Sequence, residues 1–235
     1  MIGPLLTTIA MGGVAALDAT PVAQTLLSQP LVTGTLLGFV WGDMPTALRT
    51  AVVLQIFAAS TQPVGARTPE DYAVGGVVGV GLALALSAPQ SFEFARQSAI
   101  LVGVTGGMLT ALLGVRATRW QRGYNEALGR WCEERLRAGA SRALAQAHGA
   151  GIALTFALGV VMTAAALGLG LWACSDLVVR ESLRLSRAWR LAEPLLLGVG
   201  LAQILHLFVQ RRLLRAALFG AALIGTWLVL MLGGR

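Results

Sequence analysis

The sequence predicts an all-α, polytopic integral membrane protein with about six spanning helices plus re-entrant or broken helices. Composition carries most of this. Of 235 residues, 56% are hydrophobic and only 12% are charged, about half the charged share of a soluble domain. The mean hydropathy is +0.72, so a soluble globule would lack the polar residues needed to cover its surface. A spanning helix takes about 20 apolar residues, and the apolar content supplies roughly six of them. The whole chain, 1–235, reads as a single membrane domain.

The first apolar block runs from Met1 to Leu17 and ends at Asp18. No Lys or Arg precedes it, so no cleaved signal peptide is read. A polar stretch, 18–29, leads to Pro30. Two blocks too short to cross alone follow, Leu31–Trp41, closed by Gly42-Asp43, and Ala51–Ala59. A loop punctuated by Pro and Gly, TQPVGARTPED, ends at Asp71. Short, interrupted apolar pieces are the usual trace of re-entrant or broken helices, tolerated at membrane depth only where protein or a wet cavity satisfies the backbone.

Tyr72–Ala88 and Ala99–Val115 read as spans, the first carrying VGGVVGVG. Small residues at helical spacing predict close helix packing. The segment 116–142 is the most charged, with seven Arg against Glu126, Glu133 and Glu134. It reads as a cytoplasmic helical connection, partly lying on the membrane surface. Gly149–Ala173 is long enough to cross. Over 176–190, Arg180, Arg184, Arg187 and Arg190 recur at helical spacing and predict an amphipathic helix at the bilayer interface, with Leu183, Leu185 and Trp189 on its apolar face. An Arg-rich helix on the far side of a span from 116–142 runs against the positive-inside trend. Leu191–Val209, an RRLLR cluster and Ala216–Leu232 complete the chain.

The net charge of +7 would suggest nucleic acid in a soluble chain. Here all 18 basic residues are Arg and none is Lys, a bias that reads as genomic base composition. These arginines lie mainly between apolar blocks, as cytoplasmic loops require. No nucleic-acid partner is expected. Cys132 and Cys174 lack metal or redox spacing and read as unpaired apolar side chains. His148 and His206 share no carboxylate or Cys spacing, and no phosphate loop, HExxH or GxSxG occurs. No catalytic residue, metal or cofactor is read from the sequence.

The segment from Leu27 to Asp71 resembles the IIC (permease) subunit of the mannose/fructose/sorbose class of the bacterial phosphoenolpyruvate-dependent sugar phosphotransferase system. In that family an acidic residue ends the first helix, here Asp18. A polar residue and Pro-Leu open a re-entrant piece that closes at Gly-Asp, here Gln29-Pro30-Leu31 and Gly42-Asp43. An apolar helix with Gln or Glu follows, here carrying Gln55, then a Val-Gly-Ala loop, here Val64-Gly65-Ala66, ending at Pro69-Glu70-Asp71. A weaker echo is Ala192-Glu193-Pro194 followed by Gly200-Leu201-Ala202, where a glycine pair of the family is replaced. About twenty residues follow Arg215, where the family usually places two apolar segments, so one fewer is expected.

The resemblance implies a non-enzymatic, multi-pass protein of the bacterial inner (cell) membrane that binds a hexose-type sugar and moves it for coupled phosphorylation. It implies a IID membrane subunit, soluble IIA and IIB phosphocarriers, contact with membrane lipid, and a trimer of IIC–IID pairs. The expected sugar site comprises Gln55, Gly65, Ala66 and Asp71, with Asp18, Pro30, Gly42, Asp43 and Gly200 shaping the re-entrant helices. The residue chemistry agrees. A site for hydroxyls needs donors and acceptors on apolar walls, which Gln55 and Asp71 offer, and a glycine such as Gly65 lets backbone approach a ligand. Structural roles compete at each position: Asp43 as a helix cap, Gln55 as a bond to a neighbouring helix, Asp71 as a solvated loop end. Two rival functions remain: a degenerate IIC-like subunit retained for assembly or sensing, which the Glu193-Pro194 change and the shorter C-terminus would support, and an unrelated small transporter or channel.

Overall fold

The structure, a computed structural model, describes residues 2–22, 24–61, 68–89 and 92–233. Eight helices follow one another: α1 (Ile2–Ala19), α2 (Pro30–Trp41), α3 (Met44–Ser60), α4 (Tyr72–Ser87), α5 (Glu93–Arg137), α6 (Ala143–Arg180), α7 (Ser182–Phe208) and α8 (Arg212–Gly233). No strand occurs among the described residues. By length and composition α1, α5, α6 and α7 can each cross a membrane. The shorter α4 and the 22-residue α8 accompany them, which is the all-helical, multi-pass architecture expected.

Local chemistry sets the short helices. Pro30 occupies the first turn of α2, where its missing N–H leaves no bond unmade. Gly42 closes that helix at φ +71°, a left-handed conformation that glycine adopts without strain. The Asp43 carboxylate then caps α3, accepting from Thr46 N at 3.2 Å and Thr46 Oγ1 at 2.7 Å. Consequently α3 begins at Met44, seven residues before the apolar block that starts at Ala51. Thr46 and Thr50 do not interrupt it, because both are buried and the Thr50 hydroxyl bonds back to the Thr46 carbonyl at 2.9 Å.

Two expected boundaries move. The segment 116–142 is not a separate connection. Residues 116–137 continue α5 as one 45-residue helix, about 67 Å long against a hydrocarbon core of roughly 30 Å. The loss of hydropathy at Arg116 does not break a backbone whose residues remain helix formers. The turn comes at Gly139, at φ +84°, where Ala140 N donates to Arg135 O at 2.9 Å, and α6 returns alongside. The amphipathic helix expected over 176–190 is likewise split at Glu181 between α6 and α7. Trp189, placed by periodicity on an interfacial face, is fully buried with Val53, Ile100 and Val104. The apolar face of this arginine helix is taken by α3 and α5.

Helices α1 to α7 run alternately up and down. Near one end the Trp41 indole donates to Thr8 at 3.0 Å, Ser98 to the Ser182 carbonyl at 2.8 Å, and Ser87 to Asp43 at 3.4 Å. Near the other, Ser60 donates to Gln203 at 2.8 Å and Asp71 N to Ala111 O at 3.0 Å. The Arg-rich α5–α6 hairpin extends beyond this second end. At the heart lies α4, with every residue from Ala73 to Ser87 buried. Its glycines let α5 pack backbone to backbone: a Cβ on Gly103 would come within 2.5 Å of the Gly79 carbonyl oxygen. The α1–α6 contact is similar, since a Cβ on Gly159 would meet Gly12 O at 2.6 Å. The close packing read from VGGVVGVG is therefore realised.

Candidate functional site

At the Arg-hairpin end, the C-termini of α1 and α3 and the N-termini of α2 and α4 meet the middle of α5 and of α6. They surround an open-sided cavity of about 300 Å³, at the low end of the range for small-molecule sites. Its apolar wall includes Ala16, Pro30, Val74, Leu158 and Met162. Its polar groups come from six segments: Thr20 after α1, Ser28 and Gln29 before α2, Thr61 after α3, Glu70, Asp71 and Tyr72 at the start of α4, Thr118, Gln121 and Arg122 on α5, and Thr155 on α6.

Several of these polar groups are held in place. The Asp18 carboxylate accepts from Thr25 N at 2.5 Å, Thr25 Oγ1 at 2.8 Å and Ser28 N at 2.8 Å. It thereby folds the stretch between α1 and α2 that brings Ser28 and Gln29 to the cavity. Gln55 stands behind Gln29. Its Oε1 accepts from Leu31 N at 3.1 Å and its Nε2 donates to Gln29 Oε1 at 2.8 Å. One side chain thus caps an exposed donor at the start of α2 and fixes Gln29. Asp71 caps α4 through Val74 N at 3.2 Å and lies against Gly114, where a Cβ would crowd it at 2.5 Å. Burial pushes the Asp71 carboxyl pKa up, while N–H donors from Val74 and Ala73 pull it down. Arg122 donates to the buried Thr68 hydroxyl at 3.1 Å, and Gln121 Nε2 donates to Thr155 Oγ1 at 2.5 Å.

The residues expected from sequence therefore separate. Asp71 and Pro30 line the cavity. Gln55 acts one shell further out, through Gln29. Asp18 organises the approach to α2. Gly42 and Asp43 lie at the opposite end of the α2–α3 hairpin, and Gly200 seats α7 on Ile56. Gly65 and Ala66 fall outside the described residues. Sequence reading missed Gln121, Arg122 and Thr155. A signal existed for two of these: Thr118, Gln121 and Asn125 share one helical face with Arg122, which sets uncharged polar residues beside an arginine in a run otherwise marked by Arg alone.

Fold and site together define a multi-pass membrane protein with a cavity the size of a small solute, lined with hydroxyl, amide, carboxylate and guanidinium groups. The chain belongs to the family of the PTS system sorbose-specific IIC component, whose model matches residues 4–233. It is thus a membrane component of a sugar phosphotransferase transport system. No curated protein matches its sequence. Its fold is similar to a solved structure described as "Structure of membrane protein", with a TM-score of 0.68 and 17% identity over 100% of this chain and 96% of that one. It is also similar to a chain in the cryo-EM structure of the mannose transporter ManYZ with microcin E492, with a TM-score of 0.59 and 16% identity over 97% and 95% of the two chains.

Proposed function

We propose that this chain is the sugar-translocating subunit of a mannose/fructose/sorbose-type phosphotransferase system of the bacterial inner membrane, and that a hexose binds in the cavity beside Gln29 and Asp71. The observation that carries this reading is the convergence of helix ends on one small polar cavity inside an apolar bundle. Hexoses present hydroxyls around a compact ring, and alternating donors and acceptors on apolar walls suit them. Gln29 keeps an amide nitrogen with no bond to the described residues, and Asp71 supplies carboxylate acceptors. Translocation is coupled to phosphorylation by soluble IIA and IIB proteins, and a IID subunit completes the membrane unit, three IIC–IID pairs forming the assembly. The Arg-rich α5–α6 hairpin faces the cytoplasm, in keeping with the positive-inside rule.

The test is phosphorylation-coupled uptake of tritiated mannose and tritiated sorbose by membranes containing the chain and its IID subunit, supplied with IIA and IIB. Asp71→Asn and Gln29→Leu should each weaken sugar affinity roughly five- to 150-fold, the loss expected when a dry site leaves a sugar hydroxyl unpaired, with both variants present at wild-type level. The replaced glycine pair at Glu193-Pro194 favours the rival reading, an assembly or sensory partner without transport. Unchanged affinity in both variants would support that rival.

A further inference from the structure

The cavity beside Gln29 and Asp71 is polarised along α5. Its lining carboxylates, Glu70 and Asp71, stand together at the start of α4, and Asp71 lies against Gly114. Among the described residues its one lining cation is Arg122, eight residues beyond Gly114 on the same helix, about 12 Å by helical rise. Arg122 differs from the other arginines of this stretch. Arg116 and Arg119 do not line the cavity. Arg135 lies over the Trp131 ring, and Arg137 pairs with Glu133. Arg122 instead turns inward and donates through one terminal nitrogen to the buried Thr68 hydroxyl at 3.1 Å. Among the described residues no carboxylate pairs with it, although Glu70 and Asp71 line the same space. The bond to Thr68 leaves most of a rigid five-donor fork unclaimed. Thr118, one turn earlier, and Gln121 add a hydroxyl and an amide at the same end.

We propose that this end of the cavity is a phosphate-monoester site. Arg122, with Thr118 and Gln121, holds the phosphoryl group of the sugar phosphate product while the sugar ring stays beside Gln29 and Asp71. This rests on the sugar-carrier reading above and names the form in which the sugar leaves. The charge layout sets the orientation. A phosphate beside Glu70 and Asp71 would meet like charge, whereas about 12 Å further along α5 it lies beyond the screening length of roughly 8 Å at physiological salt. There a guanidinium matches the phosphate oxygens two at a time. A neutral sugar gains little from that fork, so Arg122 favours the phosphorylated form over the incoming one. A lipid phosphate offers the same chemistry, but the bond to Thr68 holds the guanidinium to the bundle.

The experiment places the chain with its IID subunit in phosphatidylcholine nanodiscs, where both faces are accessible, and binds tritiated mannose or tritiated sorbose. The competitors are the unlabelled sugar, mannose 6-phosphate or sorbose 1-phosphate, and inorganic phosphate. The sugar phosphate should displace its own sugar, and inorganic phosphate should not match it. Arg122→Gln should raise the concentration of sugar phosphate needed, relative to unlabelled sugar, roughly 10- to 150-fold, the loss expected of charge-assisted bonds. Arg122→Lys, which keeps the charge without the fork, should recover part of that loss. Arg119→Gln, off the cavity, should leave the ratio at its wild-type value. An unchanged ratio in Arg122→Gln would overturn the site and leave the carrier reading intact. So would loss of displacement when phosphatidylglycerol replaces phosphatidylcholine, since Arg122 would then belong to lipid. Absence of saturable binding of either sugar by the unmodified assembly would overturn both.

Discussion

Arg49 and Glu193, on helices that pack side by side, meet edge-on. Arg49 Nε lies 3.3 Å from Glu193 Oε1, and its terminal nitrogen 2.8 Å from Oε2. Glu93 approaches the same guanidinium at 3.5 Å, and Arg96 links Glu93, at 3.4 Å, to Asp43, at 3.7 Å. Thus the Glu-Pro pair that departs from the family pattern is not idle. It ties α7 to α3 at the end remote from the cavity.

A double-mutant cycle on this pair should return a coupling of about 1–2 kcal/mol, above an exposed pair and below a fully buried one. The measurement is thermal unfolding in mild detergent of Arg49→Met, Glu193→Gln and the combination. Strict additivity would mean that the contact does not hold α7.

Glycine at the α4–α5 seam is irreplaceable for a steric reason, and α5 contains its own control. Gly103→Ala places a methyl 2.5 Å from the Gly79 carbonyl oxygen and should lower stability by about 2–4 kcal/mol, since backbone cannot yield cheaply. Gly129→Ala meets nothing within 4 Å and should be neutral or stabilising by up to about 1 kcal/mol from helix propensity. Equal effects from the two would contradict the seam.

Gln55 and Gln29 should act as one unit. Gln55→Leu leaves the Leu31 N–H without its acceptor and Gln29 without its donor, so sugar affinity should fall although Gln55 does not line the cavity. Gln29→Leu should produce most of the same loss, and the double variant little beyond it. Measured binding constants that multiply across the two variants would place Gln55 in direct contact with the ligand.

Orientation can be read with thiols. In a Cys132→Ser/Cys174→Ser background, Arg130→Cys on the exposed hairpin should react with an impermeant maleimide in inverted vesicles and not in intact cells. Arg184→Cys at the opposite end should show the reverse. Native Cys132 is unsuitable for this purpose because it is buried. Labelling of Arg130→Cys from outside would invert the assignment.

How far the sequence could be read followed from the range of each signal. Pro30, Gly42 and Asp43 act on the backbone within three residues, so the short helices and their turn were legible. The glycine run of α4 also declared its role, since close packing is what small residues at helical spacing permit. The unbroken α5 was not legible. Hydropathy reports the solvent along a helix and not its continuity, so a change at Arg116 looked like an end. The burial of Trp189 was hidden for a related reason: periodicity gives a face but not what meets it, and here the partners Val53 and Val104 lie more than eighty residues away in sequence. The cavity was half legible. Its loop residues fell within the recognised segment, while Gln121 came from the stretch read as a charged connection and Thr155 from one read as an ordinary span.

The continuity of α5 makes it a lever. Its membrane half is clamped to α4 along the glycine seam as far as Gly114, where Asp71 closes the contact. The remainder, to Arg137, is about 35 Å of unbroken rod. A tilt of the clamped half by about 5° would carry the tip roughly 3 Å sideways over such a length. Tip and cavity belong to the same rigid body, so whatever grips the hairpin tip has mechanical purchase on the face that presents Gln121 and Arg122.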